Sequence, residues 1–169
     1  MTPDEITQVL SKPISQRLLA SNIPARLAYT GRDGTPRVIP IAFGYNGSTI
    51  EMWTVPSSAK VSALQANPQV ALTVDTTGEW PPRVLLVRGT ATLEAIDGVP
   101  QGYLDASEKV TPADEFEAWK AGVLRLYDRM VHIEITPTWA KLLDFETTIP
   151  QAVEELAVQK FGAMPPTEQ

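Results

Sequence analysis

Apolar and polar residues alternate over several short stretches of the chain, and between these the spacing shifts to the three-and-four rhythm of helices. Thr2-Pro3-Asp4-Glu5 combines an N-cap, a proline at the first helical position and an acid three residues after the cap, which predicts a helix to about Ser11. Pro13 interrupts it, and residues 14–20 form a second short helix. From Pro24 the period becomes two. ARLAYT meets Gly31-Arg32-Asp33-Gly34, a hairpin turn, and the partner strand 36–45 sets Arg37, Ile39, Ile41 and Phe43 on one face and Val38, Pro40 and Ala42 on the other. Pro40 has no N–H for a ladder and predicts a bulge or an unpaired position, where nearby main-chain groups are free to meet a ligand. Asn46-Gly47, which tolerates the positive φ of a type I′ turn, joins that strand to 48–55 as the third strand of a meander.

Beyond it, a short helix from about Ser58 carries Val61 and Leu64 on one face and ends before Asn67-Pro68. QVALTVDT is a strand with Val70, Leu72 and Val74 inward. The loop TTGEWPP presents Trp80 ahead of two stiffening prolines, either to cover a flat ring or to cover an edge of its own core. In the strand 83–94, Leu85, Val87, Ala91 and Leu93 share one face, Arg83 and Arg88 fall on opposite faces, and Gly89 marks a bulge or a close approach. Residues 99–107 read as a short helix. Thr111-Pro112-Ala113-Asp114 repeats the N-terminal capping pattern and predicts a helix to Tyr127 with Phe116, Trp119, Val123, Leu126 and Tyr127 as a core stripe. Strands follow at 130–135 and 139–147. A helix after Pro150 has Val153, Leu156, Ala157 and Phe161 on its apolar side, and 162–169 form a frayed tail.

About six strands at short spacing, with helices at both ends and between them, predict a mainly β, α+β fold: one domain whose antiparallel barrel or strongly coiled sheet occupies about 24–147, flanked by helices. Composition then narrows the chemistry. The 169 residues include no cysteine, so disulfides, thiolate nucleophiles and cysteine metal sites are excluded. His132 is the single histidine, which excludes a zinc site of two or three histidines. A net charge of −6 argues against a nucleic-acid surface, and the absence of a long apolar run argues against a membrane span. The expectation is a soluble, cytoplasmic protein. No glycine-rich phosphate motif, zinc-protease motif or nucleophile elbow occurs. The paired acids Asp4-Glu5, Asp114-Glu115 and Glu154-Glu155 sit in predicted helices and read as solvated faces. If the chain is an enzyme, a bound cofactor carries the hard step, and no catalytic residue is assignable.

The stretch EMWTVPSSAK, residues 51–60, holds the strongest local signal. Lys60 lies in the first turn of a helix, where the macrodipole is positive and a cation is disfavoured. Two readings stay open: a phosphate held by free N–H groups, hydroxyls and the ammonium, or a lysine snorkelling into water.

TPRVIPIAF at 35–43, NGSTIEMWT at 46–54, SSAKVSALQANPQVAL at 57–72 and RVLLVRGTATL at 83–93 together resemble the pyridoxamine 5′-phosphate oxidase-like superfamily, the split β-barrel flavin and deazaflavin binders. The resemblance implies a homodimer with two cofactor sites at the subunit interface. It implies FMN, or alternatively F420, with Arg37, Val38, Ile39, Pro40 and Ile41 beside the ring and Met52, Trp53 and Thr54 lining it. Ser57, Ser58 and Lys60 hold the phosphate in this reading, and Trp80, Arg83 and Arg88 approach the cofactor or the partner subunit. Two departures count against pyridoxamine phosphate as substrate. Ala59 stands where true pyridoxamine phosphate oxidases commonly place an arginine, and WAKLLDFETT lacks their arginine- and histidine-bearing substrate motif. The implied activity is hydride transfer between FMN and an unidentified small molecule, with an F420-dependent reductase or a non-catalytic flavin- or haem-binding dimer as alternatives.

Overall fold

The N-terminal capping signals act as the sequence predicts. In the computed structural model, which describes residues 1–76 and 78–162, Thr2 and Glu5 exchange side-chain and backbone hydrogen bonds to open α1 (Pro3–Leu10). Pro13 restarts the chain as α2 (Pro13–Ala20). Ile6, Leu10, Leu18 and Leu19 on these two helices reach the main core.

Among the described residues, seven strands form one antiparallel sheet: β1 (Ala25–Thr30), β2 (Pro36–Ile41), β3 (Gly44–Tyr45), β4 (Ile50–Thr54), β5 (Gln69–Asp75), β6 (Val84–Asp97) and β7 (Arg129–Leu143). Their order is β2-β1-β5-β6-β7-β4-β3. Consecutive strands β2 and β3 therefore occupy opposite edges, joined only by Ala42 and Phe43. Three Cα steps cover at most about 11 Å, so the sheet curls until its edges approach without closing. This is the α+β split barrel expected from the sequence. The expected meander is corrected: only Gly44 and Tyr45 pair with β4, whose other neighbour is β7. The chain leaves strand geometry where Phe43 turns into the core, at 2% exposure.

The period-two strands fill the interior. Leu27, Ile50, Met52, Val74, Leu85, Ile133 and Ile135 are enclosed in one cluster, each such side chain stabilising by roughly 1.5–3 kcal/mol before entropy is counted. The two C-terminal strands predicted separately are one fifteen-residue β7. Pro137 does not end it, because it sits at a bulge: Arg88 pairs with Trp139 and Gly89 with Pro137, leaving Thr138 as the extra residue. A Cβ on Gly89 would lie 2.6 Å from the Thr136 carbonyl oxygen and 2.7 Å from Ile135 Cγ2. Gly89 is thus the close approach, opposite a bulge that lies on β7.

Two helical expectations need correction. The Thr111 capping pattern is not used; its hydroxyl donates to the Ser107 carbonyl, and α5 (Phe116–Leu126) starts after Glu115. The predicted core stripe divides, since Phe116 and Val123 are buried whereas Leu126 is 68% exposed. The helices α3 (Ala59–Ala66) and α4 (Gln101–Glu108) complete the body. The terminal α6 (Gln151–Phe161) has no buried residue, so its apolar side is uncovered in the single chain. Of the predicted tail 162–169, Gly162 caps α6 and residues 163–169 lie outside the described residues. No helix among the described residues is long and apolar enough to cross a membrane.

Asp144 ends β7. Burial opposes its ionisation, but the Thr147 hydroxyl and the N–H groups of Thr148, Thr147 and Glu146 donate to it and together hold its pKa at about 2. A carboxylate depressed from about 4 to about 2 contributes roughly 2 kcal/mol above the higher value, lost as pH falls through the lower. Asp144→Asn is expected to lower stability at neutral pH by about 2 kcal/mol and to flatten the acid limb of denaturant midpoints between about pH 4 and 2. Gly89→Ala is expected to destabilise by about 1–3 kcal/mol in urea unfolding, because backbone rather than a flexible side chain must give way.

Candidate functional site

β4 ends at Thr54, and the chain turns through Val55 and Pro56, with Ser58 N–H donating to the Val55 carbonyl at 3.1 Å. Ser58 is the N-cap of α3 yet makes no side-chain cap. Its hydroxyl instead accepts from Lys60 Nζ at 2.9 Å, and Thr54 Oγ1 accepts from the same ammonium at 2.9 Å. Lys60 does not snorkel; it folds back over the end of β4, half-buried, and burial lowers its pKa from the usual 10.5. Among the described residues it forms no ion pair. A cation sits at the positive end of a helix whose first N–H groups have no side-chain cap, which leaves the charge satisfied only by neutral hydroxyls.

A cleft of about 240 Å³ joins this helix start to the β1–β2 hairpin, with Tyr29, Arg32, Arg37, Ala59 and Ser62 among its walls. Arg37 is held toward the turn by Asp33 at 2.7 Å and by the Thr35 hydroxyl. Asp33 is lowered to about 2, first by the Thr35 N–H and then by Arg37. Val38 is 64% exposed on the edge strand, Ile39 packs against the core, and Pro40 pairs in register with Arg26. β2 shows no register shift and Pro40 is paired, so the expected bulge or unpaired position is corrected: the proline occupies a pair whose missing N–H faces the open edge.

The remaining predicted residues lie elsewhere. Met52 is fully enclosed in the core. Trp53 points to the other face of β4, stacked on His132 with ring centroids 5.2 Å apart, beneath α4. A Cβ on Gly102 would come within 2.5 Å of the Trp53 ring, so glycine lets α4 close over it. Arg83 is partly buried, donating to the Pro81 carbonyl at 2.8 Å and the Asp144 carbonyl at 2.6 Å and pairing with Glu146 at 3.0 Å. Arg88 lies over the Trp139 ring at 4.5 Å, on the face away from the core. Trp80 is 90% exposed and covers no core in its own chain. Ser57 is exposed in the turn before α3. The structure thus brings Thr54, Ser58 and Lys60 together at the end of β4; the cleft to the β1–β2 hairpin opens beside them, walled on α3 by Ala59, Ser62 and Ala63.

Tyr29, Arg32 and Ser62 are cleft residues that sequence reasoning missed; the turn signal GRDG concealed a basic wall. His132 Nε2 lies 3.3 Å from Glu51 Oε1 but outside hydrogen-bond geometry. Trp53 covers its ring, which leaves it poorly placed as an axial ligand. No three metal-ligating side chains converge among the described residues.

A family model described as pyridoxamine 5′-phosphate oxidase matches residues 11–115, which contain the hairpin, the cleft and α3. An F420 reductase of known structure is 26% identical, with 75% of this chain and 94% of that one covered, at a TM-score of 0.57. The conserved hypothetical protein Rv2991 from Mycobacterium tuberculosis is 18% identical, with 85% of each chain covered and a TM-score of 0.55. HutZ, the haem storage protein from Vibrio cholerae, is 16% identical, covering 79% of this chain and 93% of its own, at 0.55. These last two likenesses show the fold alone. No curated protein sequence matches the chain. With more than half of its residues matched and the split-barrel strand order in place, the chain belongs to the pyridoxamine 5′-phosphate oxidase family.

Proposed function

We propose that the chain is a redox protein that binds FMN, anchors its phosphate at Lys60 and acts on an unidentified small molecule. The observation that carries this reading is the half-buried Lys60 ammonium, lacking an ion-pair partner among the described residues, at a helix start with no side-chain cap. A phosphate there relieves the conflict between cation and dipole and gives the lysine the anion it lacks. Ser57, Ser58 and the N–H groups of Ala59 and Lys60 supply further donors. Arg37, Val38, Ile39 and Pro40 lie along the edge where the ring extends. When bound, the flavin supplies the two-electron chemistry; the protein supplies position and a positive anchor.

Members of this family bind flavin-type cofactors and are typically dimeric. A homodimer with the cofactor between subunits is part of the proposal, and the uncovered apolar residues Val153, Leu156 and Phe161 of α6 suit an association surface. Trp80 would serve the partner's cofactor in such a dimer, since it touches no core of its own. A cytoplasmic setting belongs to the same reading.

F420 is a second reading. The 26% identity to an F420 reductase favours it, and Arg32 and Arg37 beside the cleft suit an acidic tail. Haem is disfavoured by the burial of His132 beneath Trp53.

The absorption spectrum of protein purified without added ligand, followed by titration with FMN and F420, tests the class. Two-banded oxidised-flavin absorption supports FMN; a colourless protein that binds neither overturns the proposal. Lys60→Ala is expected to weaken FMN binding by about 1.5–3 kcal/mol, the range for a hydrogen bond to a charged group. Burial already depresses the Lys60 pKa in the free protein, so affinity should fall as pH rises toward 10.5, sooner than for an ordinary lysine. Lys60→Ala should reduce that alkaline fall to the part due to ionisation of the flavin's own imide N–H, which fluorescence titrations across pH can measure.

A further inference from the structure

Val38 carries the one main-chain N–H that the open edge of β2 offers between Pro36 and Pro40. Bonded and non-bonded pairs alternate along an antiparallel ladder. Gly31 N–H donates to the Thr35 carbonyl at 2.8 Å, which makes that pair a bonded one. Following the register, Tyr29–Arg37, Leu27–Ile39 and Ala25–Ile41 are bonded too, so Arg37, Ile39 and Ile41 turn their main-chain groups toward β1. Pro36, Val38 and Pro40 turn theirs outward. β2 is an edge strand with no second neighbour in the sheet. Both prolines therefore fall where a missing N–H removes no ladder bond.

The outward pattern is an acceptor at 36, a donor and an acceptor at 38, and an acceptor at 40. Arg37 Nη1 already donates to the Pro36 carbonyl at 3.3 Å. The Val38 N–H and C=O have no partner among the described residues. An edge with one donor in five residues cannot template another strand, which needs a donor at every second position. It suits a small ring that presents one acceptor beside one donor.

We infer that Val38 reads the cyclic imide edge of the bound ring, its C=O accepting from the imide N–H and its N–H donating to the adjacent imide carbonyl. This rests on the proposal that the ring lies along β2, but not on the choice between flavin and deazaflavin, because both carry the imide. The other polar edges of a flavin, N5 with O4 and N1 with O2, each set two acceptors side by side and call for two donors, and residues 36–40 have one to give.

The test compares FMN, N3-methyl-FMN and 5-deaza-FMN on the full chain. For the unaltered protein, N3-methylation should weaken binding about five- to tenfold or more, while the deaza analogue should bind within about twofold of FMN. Val38→Pro deletes only the outward N–H; it should weaken FMN by about five- to tenfold and blunt the effect of N3-methylation. Should that variant fail to fold by circular dichroism, the ligand series on the unaltered protein decides alone. FMN binding that depends on Lys60 but ignores N3-methylation overturns the imide contact and leaves the phosphate site standing, as does a loss confined to 5-deaza-FMN. Failure of the unaltered protein to bind FMN and 5-deaza-FMN overturns this inference together with the FMN reading.

Discussion

The two-residue link at Ala42 and Phe43 is the constraint on which the rest of the structure depends. It joins strands at opposite edges of a seven-stranded sheet, and so short a tether forces the sheet to curl. Phe43 pins the link by burying its ring in the core, with Lys109 Nζ 5.0 Å from the ring centre on its other side. The curl leaves β2 as an open edge whose hairpin shares a cleft with the first turn of α3. Position precedes chemistry here: a flat sheet with the same residues would not assemble the cleft.

Within that frame, charge satisfaction separates structural groups from the candidate binding group. Arg83 is partly buried but pairs with Glu146 and donates to two carbonyls; Asp144 is buried but accepts from Thr147, Thr148 and Glu146. Both networks are complete, and they lock the loops at the far end of β6. Lys60 differs, with only two hydroxyls for an ammonium whose pKa burial has lowered. Removing Lys60 should therefore change what the protein binds more than how it folds, the reverse of the expectation for Asp144.

The elements were legible wherever one local signal sufficed. The Thr2 capping box, the ARLAYT hairpin, the inward faces of β5 and β6 and the close approach at Gly89 follow from residue type and period. What the sequence hid was decided over distance. Strand pairing was misread because Asn46-Gly47 specifies a hairpin but not its length, and Phe43 chose the core over the ladder. Pro137 reads as a strand end because the bulge at Thr138 that accommodates it shows only in the register against β6. At the candidate site, the helix-start conflict points to Lys60, and the structure sets its ammonium against the Ser58 and Thr54 hydroxyls. The roles of Met52 and Trp53 were not legible, since period two states that they face opposite ways without stating which face holds a ligand. The contacts of Arg83 with Asp144 and Glu146 were not legible, because those residues lie some sixty positions on.

The central claim is that one phosphate-bearing ring spans from the start of α3 to the open edge of β2. A crystal structure of the protein with FMN tests it most directly. The account predicts the phosphate within hydrogen-bond distance of Lys60 Nζ and the ring plane running beside residues 37–40. A phosphate bound elsewhere, with Lys60 still donating to Thr54 and Ser58 and the edge of β2 facing only solvent, would contradict it.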